Sequence, residues 1–259
     1  MLRRIDMPIF SIHPGCARMA SATRVAFACF VLGVATCLPA WAGVGVVTHV
    51  SGILVATKAD GRSLILAPQS TVDEGDILVS EAKSFARIRF HDGGNLLVRP
   101  QSRITIERYR FDKDKPEDDA VNINLVKGGM RAITGTVGKR NADKHTTTTA
   151  TATVGIRGTH YGLQQCQGDC AGQTDAAGRP LQEGLHIDVL NGTIFAVNDA
   201  GAQDFVSGQF GFVANPQTLP QVIPPGEGFR ATVPPSMAAT TGSGATVGRG
   251  SNDNTCVIR

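Results

Sequence analysis

Cys166 and Cys170, separated by Gln-Gly-Asp, are spaced for chemistry. Two thiols that near each other can close a small disulfide loop, hold a metal or cycle as a redox pair. Zinc pairs come with a second cysteine pair or with histidines at fixed spacing. Neither accompanies this pair, so a local disulfide is the expected state, and Cys256 is left either free or paired between chains. Asp112, Asp114, Glu117, Asp118 and Asp119 offer the oxygens that calcium takes. Their spacing departs from the EF-hand loop, and Lys113 and Lys115 intervene, so a solvated loop is expected. His49, His91, His145, His160 and His186 are scattered, with no Gly-x-Ser-x-Gly or His-Glu-x-x-His run. Gly128-Gly129 leads into Met130 rather than the Lys-Ser or Lys-Thr of a phosphate loop. His160 beside Tyr161 reads as a strand neighbour, Asp188 as an outward strand residue, and Asp92-Gly93 as a turn. No catalytic, metal or cofactor-binding residue is assigned.

Arg157-Gly158-Thr159 is the sharpest short motif. Arg157 could meet a ligand carboxylate or a partner protein. The structural alternative has its guanidinium, with five donors, capping main-chain carbonyls at a turn. Gly158 would then supply a positive φ or a close approach, the usual meaning of glycine beside a strand. The structural reading is the expected one.

The elements that position these residues follow an N-terminal targeting pattern. Arg18 and Arg24 precede an apolar run from Val25 to Leu38, then Pro39 and Ala40-Trp41-Ala42. A positive region, an apolar region and a small-x-small end compose a secretory signal peptide. Cleavage after Ala42 is expected, leaving Gly43 first. An uncleaved anchor is the alternative, but a spanning helix needs about 20 residues and this run has about 14. A lipoprotein site at Cys37 is disfavoured by Thr36, and Met19 would be a more ordinary start than Met1. The chain carries 25 basic and 22 acidic residues; segment 1–42 holds four of the former and one of the latter, leaving 21 of each. The apparent basicity therefore belongs to targeting, and no basic field remains to argue for nucleic acid. No later run is apolar enough to span a bilayer, and the expected location is periplasmic or secreted.

Beyond residue 43 the pattern is all-β. Aromatics make up 5% of the chain and glycines number 30, which suits short strands and tight turns. Strand signals cover Val44–Val50, Ile53–Thr57, Ser63–Ala67, Phe85–Phe90, Asn95–Arg99, Arg103–Glu107, Val121–Leu125, Thr146–Thr153, Leu185–Val189 and Ile194–Val197. Asp60-Gly61, Asp92-Gly93-Gly94 and Asn191-Gly192 read as hairpin turns. No stretch shows a helical period. The strands predict antiparallel sheet in a solenoid-like or sandwich-like stack. Prolines gather from Pro216 onward, and the end of the chain is poor in apolar residues. The predicted organisation is a signal peptide over 1–42, a β-domain over 43–200, an extension with short strands and Pro-rich turns over 201–235, and a disordered tail over 236–259.

The run Thr151-Ala152-Thr153-Val154-Gly155-Ile156-Arg157-Gly158-Thr159 resembles the signature strand of the FecR domain family. Gly75-Asp76-Ile77, Ser84 to Phe90, Asp92-Gly93-Gly94, Pro100-Gln101-Ser102 and Leu125 to Gly129 are similar to earlier parts of that family's pattern, in order. The resemblance spans roughly residues 44–200. It implies an all-β fold outside the cytoplasm. Well-known members of the family carry signals from an outer-membrane iron transporter to a cytoplasmic sigma factor, through a cytoplasmic N-terminal segment and a central membrane helix. Here a short signal segment stands directly before the β-domain, so the anti-sigma role is not expected. The expected function is a non-catalytic envelope binding or scaffold module with an envelope protein or glycan as partner. The alternatives are a sensor in a trans-envelope pathway of the iron type, acting through a membrane partner, and an exported enzyme on cell-wall polymer.

Overall fold

Alternating apolar and polar residues build nearly every element. The computed structural model describes residues 43–234 and Met237. The predicted signal segment, with Ala40 and Ala42, lies outside the described residues, as does the predicted tail apart from Met237. The strands are β1 (Gly45–Ser51), β2 (Leu54–Thr57), β3 (Ser63–Leu66), β4 (Thr71–Val72), β5 (Ile77–Ser80), β6 (Phe85–Phe90), β7 (Asn95–Val98), β8 (Arg103–Arg110) and β9 (Ala120–Ile133). After a short helix α1 (Thr136–Arg140) come β10 (His145–Thr148), β11 (Thr153–Cys166), β12 (Gly184–Asn198), β13 (Gly201–Val206), β14 (Phe210–Val213) and β15 (Gln221–Ile223). The fold is all-β, as the sequence predicts. In β6, Ala86, Ile88 and Phe90 are buried in the core while Arg87 and Arg89 point to the other face.

The 15 strands of the described residues belong to one sheet, running β15-β14-β12-β11-β10-β9-β7-β6-β1-β4, with β13 beside β12 and a branch β3-β2-β5-β8 joined at β9. Three long strands serve two neighbourhoods each. The first half of β9 pairs with β8 and β10, and its second half with β7 and β11. Likewise β11 pairs first with β10 and later with β9, while β12 pairs first with β14 and then with β13. The direction changes at Gly128, Gly158 and Gly192, with φ of +77°, +59° and +87°. Only glycine takes these angles without steric cost. The bends let both branches feed one core: Leu54, Leu78, Ile104 and Ile106 meet Ile88, Leu96, Tyr161, Leu163 and Ile187.

Two local expectations are corrected. Asn191-Gly192 is a bend inside the continuous β12, because β11 bends beside it at Gly158 and the two strands resume pairing across a register shift. The Thr146–Thr153 run is broken into β10 and β11, because the Thr149 hydroxyl accepts the amides of Thr151 and Ala152 and closes a turn. Threonine offers its backbone this competing bond. The β9–β10 pair is parallel, an exception within the mostly antiparallel sheet that the sequence predicts. Its connection holds α1, whose five residues are too few to show a helical period. Residues 201–223 add β13, β14 and β15 to the same sheet.

Candidate functional site

The hairpin turn at Asp92 becomes a buried junction. Its Oδ1 accepts the Gly94 amide at 3.0 Å, its Oδ2 the Val137 amide at 3.3 Å, and its carbonyl both Thr136 donors. The Asp92 amide donates to the Tyr109 hydroxyl at 2.8 Å. Burial, with the Asp92 charge beside it, pushes the Tyr109 hydroxyl well above its ordinary pKa. Gly93 holds a positive φ of +85° at the turn. A cavity of about 10 Å³ adjoins, lined by Asp92, Gly135 and His145 among others. Small-molecule sites occupy hundreds of Å³, so this one takes no organic substrate. Among the described residues no group of three His, Cys, Asp or Glu side chains is placed to hold a metal ion. The acidic loop differs from the expected solvated one in one respect: Asp119 is buried, accepts the Asp112 amide and lies 3.7 Å from the Arg140 guanidinium.

In the Arg157-Gly158-Thr159 motif, the guanidinium of Arg157 is exposed and makes no hydrogen bond among the described residues, so it does not cap carbonyls as expected. Thr134 takes that part instead. Its hydroxyl accepts the Thr159 amide at 2.8 Å, and its amide donates to the Thr159 carbonyl at 3.0 Å.

Cys166 and Cys170 are joined as a disulfide at the end of β11, under a loop pinned by Gly168 N–H to Glu183 Oε2 at 2.8 Å. Closing a loop this short removes little chain entropy. The paired Cys166→Ser and Cys170→Ser change is therefore expected to cost about 2 kcal/mol in urea unfolding. Unchanged midpoints would mean that other contacts hold the loop.

The densest polar cluster lies on the sheet face opposite the core. Strand registers place Asp188, Gly162, Arg131, Leu97 and Arg87 in one row across β12, β11, β9, β7 and β6. Residues paired in a row project from the same face. The segment from Gly228 onward crosses that row. Arg131 Nη1 donates to the Ala231 carbonyl at 2.9 Å, Arg99 Nη1 to the Thr232 carbonyl at 3.0 Å, and Arg87 to the Met237 carbonyl. Asp188 Oδ2 accepts the Ala231 amide at 3.0 Å. Phe229 lies under the Arg99 guanidinium, 4.9 Å from ring centre to charge. Gly162 makes room: a Cβ there would meet the Ala231 Cβ at 2.2 Å. Arg131 Nε also donates to His160 Nε2 at 2.7 Å. Burial first, and Arg131 second, push the His160 imidazole down to about 4, so it is a neutral acceptor that orients Arg131. Burial lowers Arg99 to about 10 and raises the Asp188 carboxyl. Asp188, read as outward, does leave the core, yet the crossing segment covers it to 7% exposure.

A second surface of interest is the hairpin of β2 and β3. Strand β3 pairs with β2 alone, and its outer edge is open among the described strands. Ile65 is 74% exposed, with Leu64 and Ile53 beside it at 41% and 46%. Among the described residues, no helix is long and apolar enough to cross a membrane.

The sequence singled out Cys166, Cys170, Asp92, Gly93 and Arg157–Thr159, which the fold disperses to three places. It passed over Arg99, Arg131 and the Ile65 edge. The outward arginines were visible in the alternation, but the segment that covers them is remote in sequence.

Among curated proteins none matches this chain. The fold is similar to a cell surface anchoring domain, at 18% identity and a TM-score of 0.23, over 24% of this chain and 82% of that one. It is also similar to two crystal structures of a candidate anti-sigma factor from Parabacteroides distasonis, at 11% and 10% identity with TM-scores of 0.41. Each match covers 57% of this chain, which spans 58% of those structures. Residues 76–195 match the family model described as FecR protein, a narrower span than the roughly 44–200 of the sequence resemblance. From β5 into β12, therefore, the chain carries a region that matches the FecR family.

Proposed function

We propose that the chain is an exported, non-catalytic binding module of the bacterial cell envelope, periplasmic or secreted, whose partner is an envelope protein. The observation that carries this reading is the open β3 edge with Ile65 exposed at its middle. An edge strand is a template for another chain unless it is blunted by charge, proline or a cover. Here the strand reads Ser-Leu-Ile-Leu, with no charge and no proline. An extended partner segment would add main-chain bonds along β3 and place apolar side chains beside Ile65. The signal-peptide pattern ahead of the FecR domain supports export.

The test is in-cell crosslinking of a tagged full-length chain, with mass spectrometry of the captured partners and of the mature N-terminus. A chain starting at Gly43, with an envelope protein whose capture falls at least tenfold in Ile65→Lys, is the expected result. An intact N-terminus with cytoplasmic partners alone, or capture indifferent to Ile65→Lys, defeats the reading.

The FecR domain favours a second reading, a sensor component of a trans-envelope pathway acting through a membrane partner. On that reading, deleting the gene changes transcription of a regulon under iron limitation. An unchanged transcriptome removes it.

A further inference from the structure

The segment that crosses the arginine face is bound as a peptide ligand is bound. No main-chain ladder joins Phe229–Pro234 to the strands beneath it. Arg131 and Arg99 hold two successive carbonyls, and Asp188 holds the amide between Arg230 and Ala231. Such contacts read backbone rather than sequence. Side chains alternate: Phe229 and Ala231 are buried and Val233 half-buried, while Arg230 and Thr232 are exposed. Phe229 stacks on Arg99, and the space over Gly162 admits only a small residue.

The occupant is electrostatically incomplete. Among the described residues, Asp188 is the one carboxylate that acts on both Arg99 and Arg131, and it faces Arg230 as well. The Nε of Arg99 is buried without a hydrogen-bond partner. An unmade bond of this kind is costly in a low-dielectric setting. A segment bearing a carboxylate at the next inward position, where this chain has Val233, would supply the missing acceptor and offset the excess positive charge.

We propose that this face is a second binding site, separate from the β3 edge, for an extended segment of a partner protein with aromatic, small and acidic residues at alternate positions. Residues 228–234 of the chain itself are its intramolecular occupant, which the acidic ligand displaces. The proposal stands whether or not the chain is exported.

The test uses the folded full-length chain and two labelled 11-residue peptides, one copying residues 227–237 and one with Val233→Glu, in fluorescence anisotropy at low salt. The Glu peptide is expected to bind at least tenfold tighter than the copy, and raising salt should narrow the gap. Arg99→Met should abolish the difference between the peptides. Phe229→Ala in the chain, which weakens the intramolecular occupant, should tighten both. If Phe229→Ala disturbs the fold by circular dichroism, Ala231→Val, which has no room over Gly162, replaces it as the releasing variant. The proposal is overturned if neither peptide binds at 1 mM concentration (on the order of −4 kcal/mol) to the released variant. It is overturned equally if the preference for Glu survives Arg99→Met, or if release leaves both affinities unchanged.

Discussion

Replacing Gly128 with alanine is expected to destabilise the protein by about 4 kcal/mol. The residue sits inside β9 at a φ of +77°, where the strand leaves β8 and joins β7 and β11. An L side chain in that region costs about 1–2 kcal/mol by itself. The added Cβ would also stand 2.5 Å from Ser102 Cα and 2.7 Å from the Gln101 carbonyl, both main chain. Those atoms cannot rotate aside, so β9 must draw away from the start of β8. Ser102 Oγ, which bonds both the amide and the carbonyl of Gly129 at 2.8 Å, would lose its partners. Buried bonds of that kind cost about 1–3 kcal/mol each when broken. Gly61 provides the control. It too has a positive φ, +85°, but a Cβ there meets nothing within 4 Å. Gly61→Ala should therefore cost only the conformational part, about 1–2 kcal/mol. Urea unfolding of both variants measures the difference; if the two agree within about 1 kcal/mol, the close approach at the β9 corner contributes nothing.

That corner also shows why sequence reading stops where it does. Strands lit by strict alternation, such as Phe85–Phe90, are readable residue by residue, because burial of every second side chain depends only on the local pleat. A glycine at positive φ is ambiguous in one dimension. Asn191-Gly192 has the composition of a hairpin turn, and its geometry as a bend depends on β11 bending beside it. The Thr149 turn is hidden for a related reason, since threonine favours strands and turns alike and its hydroxyl decides between them. The covering of the arginine face was invisible for want of any local signal. Arg131 meets the main chain 100 residues later and Arg99 meets it 133 residues later, on a stretch whose composition suggested short strands and Pro-rich turns. The Cys166–Cys170 pair, by contrast, is local, and its bridge was legible from spacing.

Acid should loosen the fold well before its carboxylates titrate, and His145 is the main cause. The ring is 5% exposed at the head of β10, and neither nitrogen has a hydrogen-bond partner. Burial, only partly opposed by the Asp92 charge, pushes its pKa from 6.5 down to about 4. The unfolded chain therefore binds a proton below pH 6.5 that the folded chain refuses. Stability present above that pH is lost as pH falls from about 6.5 towards 4, by about 2 kcal/mol at pH 5 and about 3 kcal/mol at pH 4. His160 is shifted in the same direction, by burial and then by Arg131, but it is half-exposed and solvent screens its share. His145→Leu tests the assignment. Leucine fills a similar volume and removes two unsatisfied nitrogens, so stability at pH 7 should change by less than about 1.5 kcal/mol. Between pH 7 and pH 4.5 the variant should lose about 2 kcal/mol less than the parent in urea unfolding. Carboxylates elsewhere titrate equally in both proteins, so they cancel in this comparison. Parallel stability curves for the two proteins would place the acid sensitivity outside the Asp92 junction, and a larger loss in the variant would mean that the imidazole is protonated and satisfied in the folded state.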